Sequence, residues 1–133
     1  MKKNVLIIDD DAEIRMAMND FIKPLADEVT TAHDGPTAIK IVTEQAIAVA
    51  IIDLVMPNMG GVECLRKIKE ISPATACIIM TGFEADRKTR TYCLSKGALS
   101  FMSKPPELSL LSKVIESGFD TYRTKQRSAE GAE

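Results

Sequence analysis

The segment VLIIDDD at residues 5–11 decides the fold of this chain. It places four apolar residues in succession directly before three aspartates, without the polar alternation of a half-exposed strand. Such a run is typical of a strand that is buried on both faces of a parallel sheet. Three more runs have the same character and are followed by polar residues: 48–52 before Asp53, 76–80 before Thr81, and 99–102 shortly before Lys104. A more polar run at residues 28–32 suits an edge strand.

Amphipathic segments separate the predicted strands. Apolar residues recur at helical spacing within four segments: 14–25, 38–42, 62–71 and 108–122. Asp34 ahead of Pro36 predicts the start of a helix, and Asp86 is suited to cap another helix that ends at Gly97. Strands and helices in alternation predict an α/β fold, a doubly wound parallel sheet of five strands with helices on both faces. We expect one domain over residues 1–122 and a polar tail without helical periodicity at 123–133.

Length, charge and hydropathy exclude several classes of protein. The 133 residues suit about one domain, and 45% hydrophobic residues suffice for one core. A net charge of −2 lacks the basic excess of a nucleic-acid binder, so we expect no direct contact with nucleic acid. The longest apolar run, residues 46–52, is far shorter than the ~20 residues of a membrane-spanning helix, and no secretory signal opens the chain. We expect a cytoplasmic protein without a membrane partner.

The cysteines and the histidine limit the available chemistry. Cys64, Cys77 and Cys93 each fall in an apolar stretch, so we interpret them as reduced thiols of the core. No pair of them has the spacing of zinc ligands, and His33 is the only histidine in the sequence. A Cys/His metal site and a Ser-His-Asp triad built on a second histidine are therefore disfavoured.

Polar side chains follow four of the five predicted strands. The carboxyl ends of parallel strands lie at one edge of a sheet, where ligands bind near the topological switch point. The side chains that would meet there are those of Asp9, Asp10, Asp53, Thr81 and Lys104. Two carboxylates ~5 Å apart repel by about 3 kcal/mol at an effective dielectric of ~20, so the acids need a counter-charge. Lys104 supplies one charge and a hard divalent cation two, and an all-oxygen donor set suits Mg²⁺ rather than zinc.

A pocket of this composition suits phosphoryl transfer. The cation and Lys104 would neutralise charge on the transferred group, the Thr81 hydroxyl would donate a hydrogen bond, and one aspartate would be the nucleophile. Taken singly, each residue has a structural interpretation: the aspartates as helix caps, Thr81-Gly82 as a turn, and Lys104 as a solvated side chain. Their coincidence at four strand ends favours the functional interpretation.

Four segments, in this order, carry a family resemblance: VLIIDDD at 5–11, DLVMPNMGG at 53–61, IIMTG at 78–82 and GALSFMSKP at 97–105. Together they resemble the receiver domain of bacterial response regulators, the CheY-like family. The resemblance covers about residues 4–122. It implies the flavodoxin-like strand order 2-1-3-4-5 and a role in two-component signal transduction.

The resemblance implies a role for each matching residue of the acidic pocket. Asp53 is expected to accept the phosphoryl group from the phosphohistidine of a histidine kinase or phosphotransfer protein. Asp9 and Asp10 would hold Mg²⁺ as an acidic pair. The direct ligands of the ion would be Asp10, Asp53 and the main-chain carbonyl of Val55. Lys104 would pair with the phosphoryl group.

The resemblance also implies a switch. Thr81 would move toward the new phosphate, and Phe101 stands at the position of an aromatic switch residue that is more often tyrosine. The peptide bond before Pro105 is expected to be cis. Gly60 or Gly61 would serve the turn after the third strand.

The fourth predicted helix carries few apolar residues, which makes it a candidate bistable element. We therefore expect the surface of the fourth helix, fifth strand and fifth helix to change on phosphorylation and to control a protein partner. The sequence identifies neither that partner nor the cognate kinase, and it is compatible with a homodimer. Two positions beside the expected acyl phosphate, Val55 and Phe83, are apolar and cannot orient a water. We expect slow self-dephosphorylation and no other enzymatic activity.

Three alternative interpretations compete with this one. An aspartyl-nucleophile phosphohydrolase would carry an Asp-x-Asp motif and a cap domain, whereas this chain has three consecutive aspartates and no room for a cap. A flavodoxin-type flavin domain would carry a loop rich in Gly, Ser or Thr after the first strand. A pseudo-receiver, a binding module that is never phosphorylated, is disfavoured by the complete set of acids, Thr81 and Lys104.

Overall fold

The protein is described here by a computed structural model that covers residues 1–82 and 86–131. In these two ranges the strands are β1 (Asn4–Ile8), β2 (Glu28–Ala32), β3 (Val49–Asp53), β4 (Ala76–Thr81) and β5 (Ala98–Ser103). The α-helices are α1 (Ala12–Ile22), α2 (Gly35–Glu44), α3 (Gly61–Ile71), α4 (Arg87–Ser95) and α5 (Leu108–Gly131). A short 3₁₀ helix, Lys23–Leu25, follows α1.

The strands form a parallel sheet in the order β2-β1-β3-β4-β5. This confirms the predicted doubly wound fold and strand order. The chain leaves β1 toward β2 in one direction and toward β3 in the other, so the switch point lies between β1 and β3. Ile8 pairs with Ile52, and therefore the carboxyl ends of these two strands stand side by side.

Two apolar clusters cover the faces of the sheet. On one face, α2, α3 and α4 bury residues such as Val42, Leu65 and Cys93. On the other, α1 and α5 bury residues such as Ile22 and Phe119. All residues of β1, β3 and β4 are buried, whereas β2 is mostly half-buried or exposed. The continuous apolar runs and the polar edge strand of the sequence thus have the predicted positions.

The three cysteines are free thiols in the core, as predicted. Burial raises the pKa of the Cys64 and Cys77 thiols to about 12, with the neighbouring sulfur of Cys77 adding to the effect at Cys64. Both therefore stay protonated and unreactive in the folded protein. In the described part of the chain, no helix combines the length and the apolar character needed to cross a membrane.

Aspartates begin three of the helices. The carboxylate of Asp11 accepts hydrogen bonds from the first amides of α1, and Asp34 and Asp86 do the same for α2 and α4. Hydrogen bonds from Thr37 and Thr89 lower the pKa of Asp34 and Asp86 respectively. The predicted caps at Asp34 and Asp86 are confirmed, and Gly97 follows α4 with a φ of +100°, the left-handed conformation that ends a helix.

The polar tail predicted from residue 123 is helical over its described part, because α5 continues to Gly131. Tyr122 is the last buried residue of α5 among those described, so the apolar periodicity ends where the helix leaves the sheet. The residues that follow are mostly good helix formers, which prolong a nucleated helix without needing an apolar partner. In α1 the opposite occurs: Pro24 opens a 3₁₀ turn, and the helix ends at Ile22 rather than near Leu25.

Candidate functional site

Three aspartates meet at the carboxyl ends of β1 and β3. Asp9 and Asp10 follow β1, and Asp53 is the last residue of β3. One carboxylate oxygen of each lies within 4.8 Å of the others. Asp9 and Asp53 are only 4% and 7% exposed, whereas Asp10 is exposed to solvent. The cluster is therefore a buried acidic pair with one solvent-facing carboxylate at its mouth.

Lys104 bridges the two buried acids. Its Nζ lies 2.5 Å from Oδ2 of Asp9 and 3.2 Å from Oδ1 of Asp53. The backbone holds it there, because the Lys104 N–H donates to the Thr81 carbonyl at 2.8 Å. The peptide bond between Lys104 and Pro105 is cis, as expected. Lys104 thus contacts two of the three carboxylates, and these three acids with their one ammonium carry a formal charge of −2.

Burial and neighbouring charges shift the pKa values of Asp53 and Lys104. Burial, and after it the charge of Asp9, raises the pKa of Asp53 above its usual range, although Lys104 opposes both effects. Burial alone would lower the pKa of Lys104, but the hydrogen bonds and charges of Asp9 and Asp53 outweigh it and raise that pKa. Lys104 therefore remains a cation at neutral pH, and the acids around it lack sufficient counter-charge.

The donor set fits a hard divalent cation. The side-chain atoms that meet here are three carboxylate oxygens, which lie close enough together to hold one ion. An oxygen-only set with a solvent-facing side suits Mg²⁺, which keeps several waters and takes one or two carboxylates.

Asp9 is fixed by four hydrogen bonds or ion pairs. Its N–H donates to the Ala32 carbonyl at 3.1 Å, and its Oδ1 accepts from the Asp11 N–H at 2.9 Å. Its Oδ2 contacts Lys104, and its carbonyl accepts from Nη1 of Arg15 at 2.7 Å. The sequence reasoning missed Arg15. The available signal was its place one turn into α1, because helical side chains point back toward the N-terminus and hence toward the acidic turn.

The loop after β3 is shaped by Gly61. A Cβ on this residue would lie 2.5 Å from the Asp53 carbonyl oxygen and 2.6 Å from the Leu54 Cα. Its N–H donates to the Leu54 carbonyl at 2.9 Å. At Gly60 the nearest atom to an added Cβ is 3.9 Å away. Of the two glycines that the sequence offered for this turn, Gly61 is the one that the turn requires.

Val55 lies at the rim of the pocket. Its N–H donates to Oδ1 of Asp53 at 3.4 Å, and its side chain is 57% exposed. The role of its carbonyl as a metal ligand stays a prediction. Phe83, the other apolar position expected beside the acyl phosphate, lies outside the described residues.

The two predicted switch residues lie on neighbouring strands. Thr81 is buried at the carboxyl end of β4, where it pairs with Ser103 of β5, and its carbonyl holds the Lys104 amide. Phe101 is half-buried on β5 and packs against the core, with the Arg90 guanidinium of α4 5.3 Å from its ring centroid. The backbone therefore links Thr81 to Lys104, and Phe101 contacts α4.

Comparison with known proteins decides the family. A family model described as the response regulator receiver domain matches residues 5–116. The chain belongs to this family. Receiver domains are signalling modules of two-component systems, and the predicted family is thereby confirmed.

Relatives and solved structures agree with this assignment. A receiver domain from Clostridium thermocellum is 32% identical with a TM-score of 0.83, covering 93% of this chain and 98% of that one. A CheY-like receiver domain from Methanospirillum hungatei is 25% identical with a TM-score of 0.87, covering 94% and 99%. A cyclic di-GMP phosphodiesterase from Thermotoga maritima is 33% identical over 80% of this chain and 28% of its own length. The chain spans about a third or less of the curated relatives named as a phosphodiesterase, a transcriptional regulator and a methylesterase.

Proposed function

We propose that this chain is a phosphoacceptor: Asp53 takes a phosphoryl group from the phosphohistidine of a histidine kinase or phosphotransfer protein, with Mg²⁺ bound at the acidic cluster. The observation that carries the proposal is the contact of Lys104 with both Asp9 and Asp53 at the switch point of the sheet. Membership of the receiver family supports it. A cluster that served only to stabilise the fold would need no third acid facing solvent. A metal ion and a phosphodonor, in contrast, need access from solvent, and Asp10 lies on that accessible side.

The transfer step needs one nucleophile and several positive charges. An oxygen of the Asp53 carboxylate attacks the phosphorus, and the bond between phosphorus and the donor nitrogen breaks. The electron pair of that bond stays on the nitrogen, so a donor ring that carries a proton on its other nitrogen leaves as neutral imidazole, and Asp53 becomes an acyl phosphate. Lys104, 3.2 Å from Asp53, is placed to neutralise an oxygen of the incoming group. Mg²⁺ held by Asp9, Asp10 and Asp53 would supply positive charge that offsets the carboxylates and the phosphoryl oxygens together.

An apolar cavity gives a phosphodonor protein a surface beside this pocket. It has a volume of about 620 Å³ and lies between α1 and the segment that joins β5 to α5. Its wall includes Ile14, Phe21, Met80 and Leu108, and the Lys104 side chain borders it. A donor that presents its phosphohistidine to Asp53 therefore meets apolar surface at the edge of the acidic cluster.

The change that follows phosphorylation is proposed to reach the surface formed by α4, β5 and α5. An acyl phosphate adds acceptor oxygens beside Lys104 and Thr81, whose main chains are hydrogen-bonded to each other. Phe101 lies two strand positions before Ser103, the partner of Thr81, and contacts Arg90 of α4. Because Cys93 is the buried residue of α4, that helix is lightly anchored and can respond. A target protein on this surface would read the change.

Intact-mass analysis tests the proposal. The protein is incubated with acetyl phosphate and Mg²⁺, and the wild type is expected to gain the mass of one phosphoryl group, whereas Asp53→Asn gains none. Omission of Mg²⁺ with EDTA present is the second control. An unmodified wild type would favour the pseudo-receiver, and continuous release of phosphate from small phosphate esters would favour the phosphohydrolase.

A further inference from the structure

We propose that Arg15 is a positioning residue for the metal site, acting by holding the turn that carries Asp9 and Asp10. This inference rests on the proposed function, since it concerns the affinity of the acidic cluster for Mg²⁺. Among the described residues, the Arg15 side chain forms no ion pair with the three carboxylates. The guanidinium instead bonds to the main chain, where Nη1 donates to the Asp9 carbonyl at 2.7 Å.

The Asp9 carbonyl that Arg15 contacts lies between the end of β1 and the start of α1. Asp9 is the first residue after β1, and its N–H makes the last ladder bond, to the Ala32 carbonyl of β2. Beyond this point the chain leaves the sheet and turns into α1, whose amides are capped by Asp11. The carbonyl of Asp9 thus sits where the ladder ends and the helix has not begun. Arg15 supplies the donor that neither element provides.

The bond also connects two rigid elements across the acidic turn. Arg15 is fixed on α1, since its N–H donates to the Asp11 carbonyl at 3.0 Å. Its side chain is half-buried and reaches back to the Asp9 carbonyl. The turn is therefore held at Asp9 and at Asp11, and the Asp10 carboxylate, which faces solvent, gains its direction from these neighbours.

Charge and positioning predict opposite effects for the loss of Arg15. If the guanidinium acted only through its charge, its removal would reduce repulsion of a cation and strengthen Mg²⁺ binding. If it acts by holding the turn, its removal lets the ligands relax and weakens binding. Loss of groups that orient metal ligands commonly weakens metal affinity by roughly tenfold or more. The sign of the change therefore separates the two explanations.

The test is calorimetric titration of the metal-free protein with MgCl₂. Arg15→Gln is expected to raise the Kd for Mg²⁺ roughly tenfold. Arg15→Lys, which keeps the charge and one donor, is expected to raise it about two- to threefold, in line with a partial loss of one hydrogen bond. Arg66→Gln, which removes an exposed arginine of α3, is the matched control and should leave the Kd unchanged.

A Kd for Arg15→Gln equal to or lower than that of the wild type would overturn the positioning role. If that variant does not fold by circular dichroism, Arg15→Lys carries the test, and an unchanged or lower Kd overturns the role. A second readout is the exchange rate of the Asp11 amide in the metal-free protein, which should increase in Arg15→Gln. A wild-type protein that binds no Mg²⁺ would refute the proposed function itself. Tight Mg²⁺ binding by the wild type, with the same Kd in Arg15→Gln, would refute the role of Arg15 alone.

Discussion

Replacement of Asp53 by asparagine is expected to make the metal-free protein more stable. The ligand atoms of Asp9, Asp10 and Asp53 lie within 4.8 Å of one another, so an ionised neighbour at that distance repels the Asp53 carboxylate by about 3.5 kcal/mol at an effective dielectric of ~20, and by less for Asp10, which solvent screens. Lys104 at 3.2 Å attracts it by about 5 kcal/mol on the same scale. Without screening of Asp10, the two repulsions would exceed the attraction by about 2 kcal/mol. Burial of Asp53 adds to this cost, and the exposure of Asp10 reduces it.

An amide of the same shape removes the charge but keeps the acceptor oxygen that faces Lys104 and the Val55 N–H. The raised pKa of Asp53 points in the same direction, because a carboxyl whose pKa is raised by folding destabilises the protein when it is ionised. We therefore predict a gain of about 1–2 kcal/mol in the free energy of unfolding at neutral pH, after allowance for the screening of Asp10.

Urea unfolding followed by circular dichroism, in the presence of EDTA, measures this gain. Asp20→Asn, which neutralises an exposed acid of α1 outside the cluster, is the control and should change little. Saturating Mg²⁺ should reverse the order, because a ligand that binds the native state stabilises it and Asp53→Asn lacks one ligand group. An Asp53→Asn protein that is less stable than the wild type in EDTA would refute this account of the site's electrostatics.

Four further changes test other parts of the account. Lys104→Met should lower the free energy of unfolding in EDTA by about 3–5 kcal/mol, because it leaves two buried acids without their shared cation; an unchanged urea midpoint would argue against the bridge. Gly61→Ala should cost about 1–3 kcal/mol in the same assay, since its Cβ would meet a carbonyl oxygen at 2.5 Å, and Gly60→Ala should cost less. Val55→Asn should shorten the half-life of the phosphorylated protein, because an amide at this exposed position can orient water; faster loss from the wild type would contradict the idea. Folding lowers the pKa of Asp86, so the ionised carboxylate stabilises the protein above its ordinary pKa of 3.8, and this stabilisation disappears as the pH falls through the lowered pKa. Asp86→Asn should therefore lose less stability than the wild type on acidification. Identical acid unfolding profiles would refute the contribution of the cap.

The sheet was predictable from the sequence because its signal is local. A strand buried on both faces must be apolar at successive positions, and β1, β3 and β4 show this directly. The polar residues that end these strands were predictable as a cluster for the same reason, since parallel strands bring their carboxyl ends to one edge. The roles of Asp53 and Lys104 came instead from the family resemblance.

Other features of the structure depend on three-dimensional distances, which the spacing of apolar residues in the sequence does not specify. Ile71 and Leu108 continue the apolar spacing of their helices, yet they are 43% and 52% exposed, and each is the terminal residue of its helix. The contact of Arg15 with the Asp9 carbonyl depends on how a long side chain folds back over the acidic turn. The choice between Gly60 and Gly61 depends on ångström-scale approach to the backbone of β3.

Chemical trapping of the modified residue tests the central claim most directly. Sodium borohydride reduces an aspartyl phosphate to homoserine, so treatment after incubation with acetyl phosphate and Mg²⁺ marks the residue that carried the phosphoryl group. Peptide mass spectrometry then locates the mark. We predict it at Asp53 alone, dependent on Mg²⁺. A mark at Asp9 or Asp10, or a wild-type protein that carries none, would contradict the account.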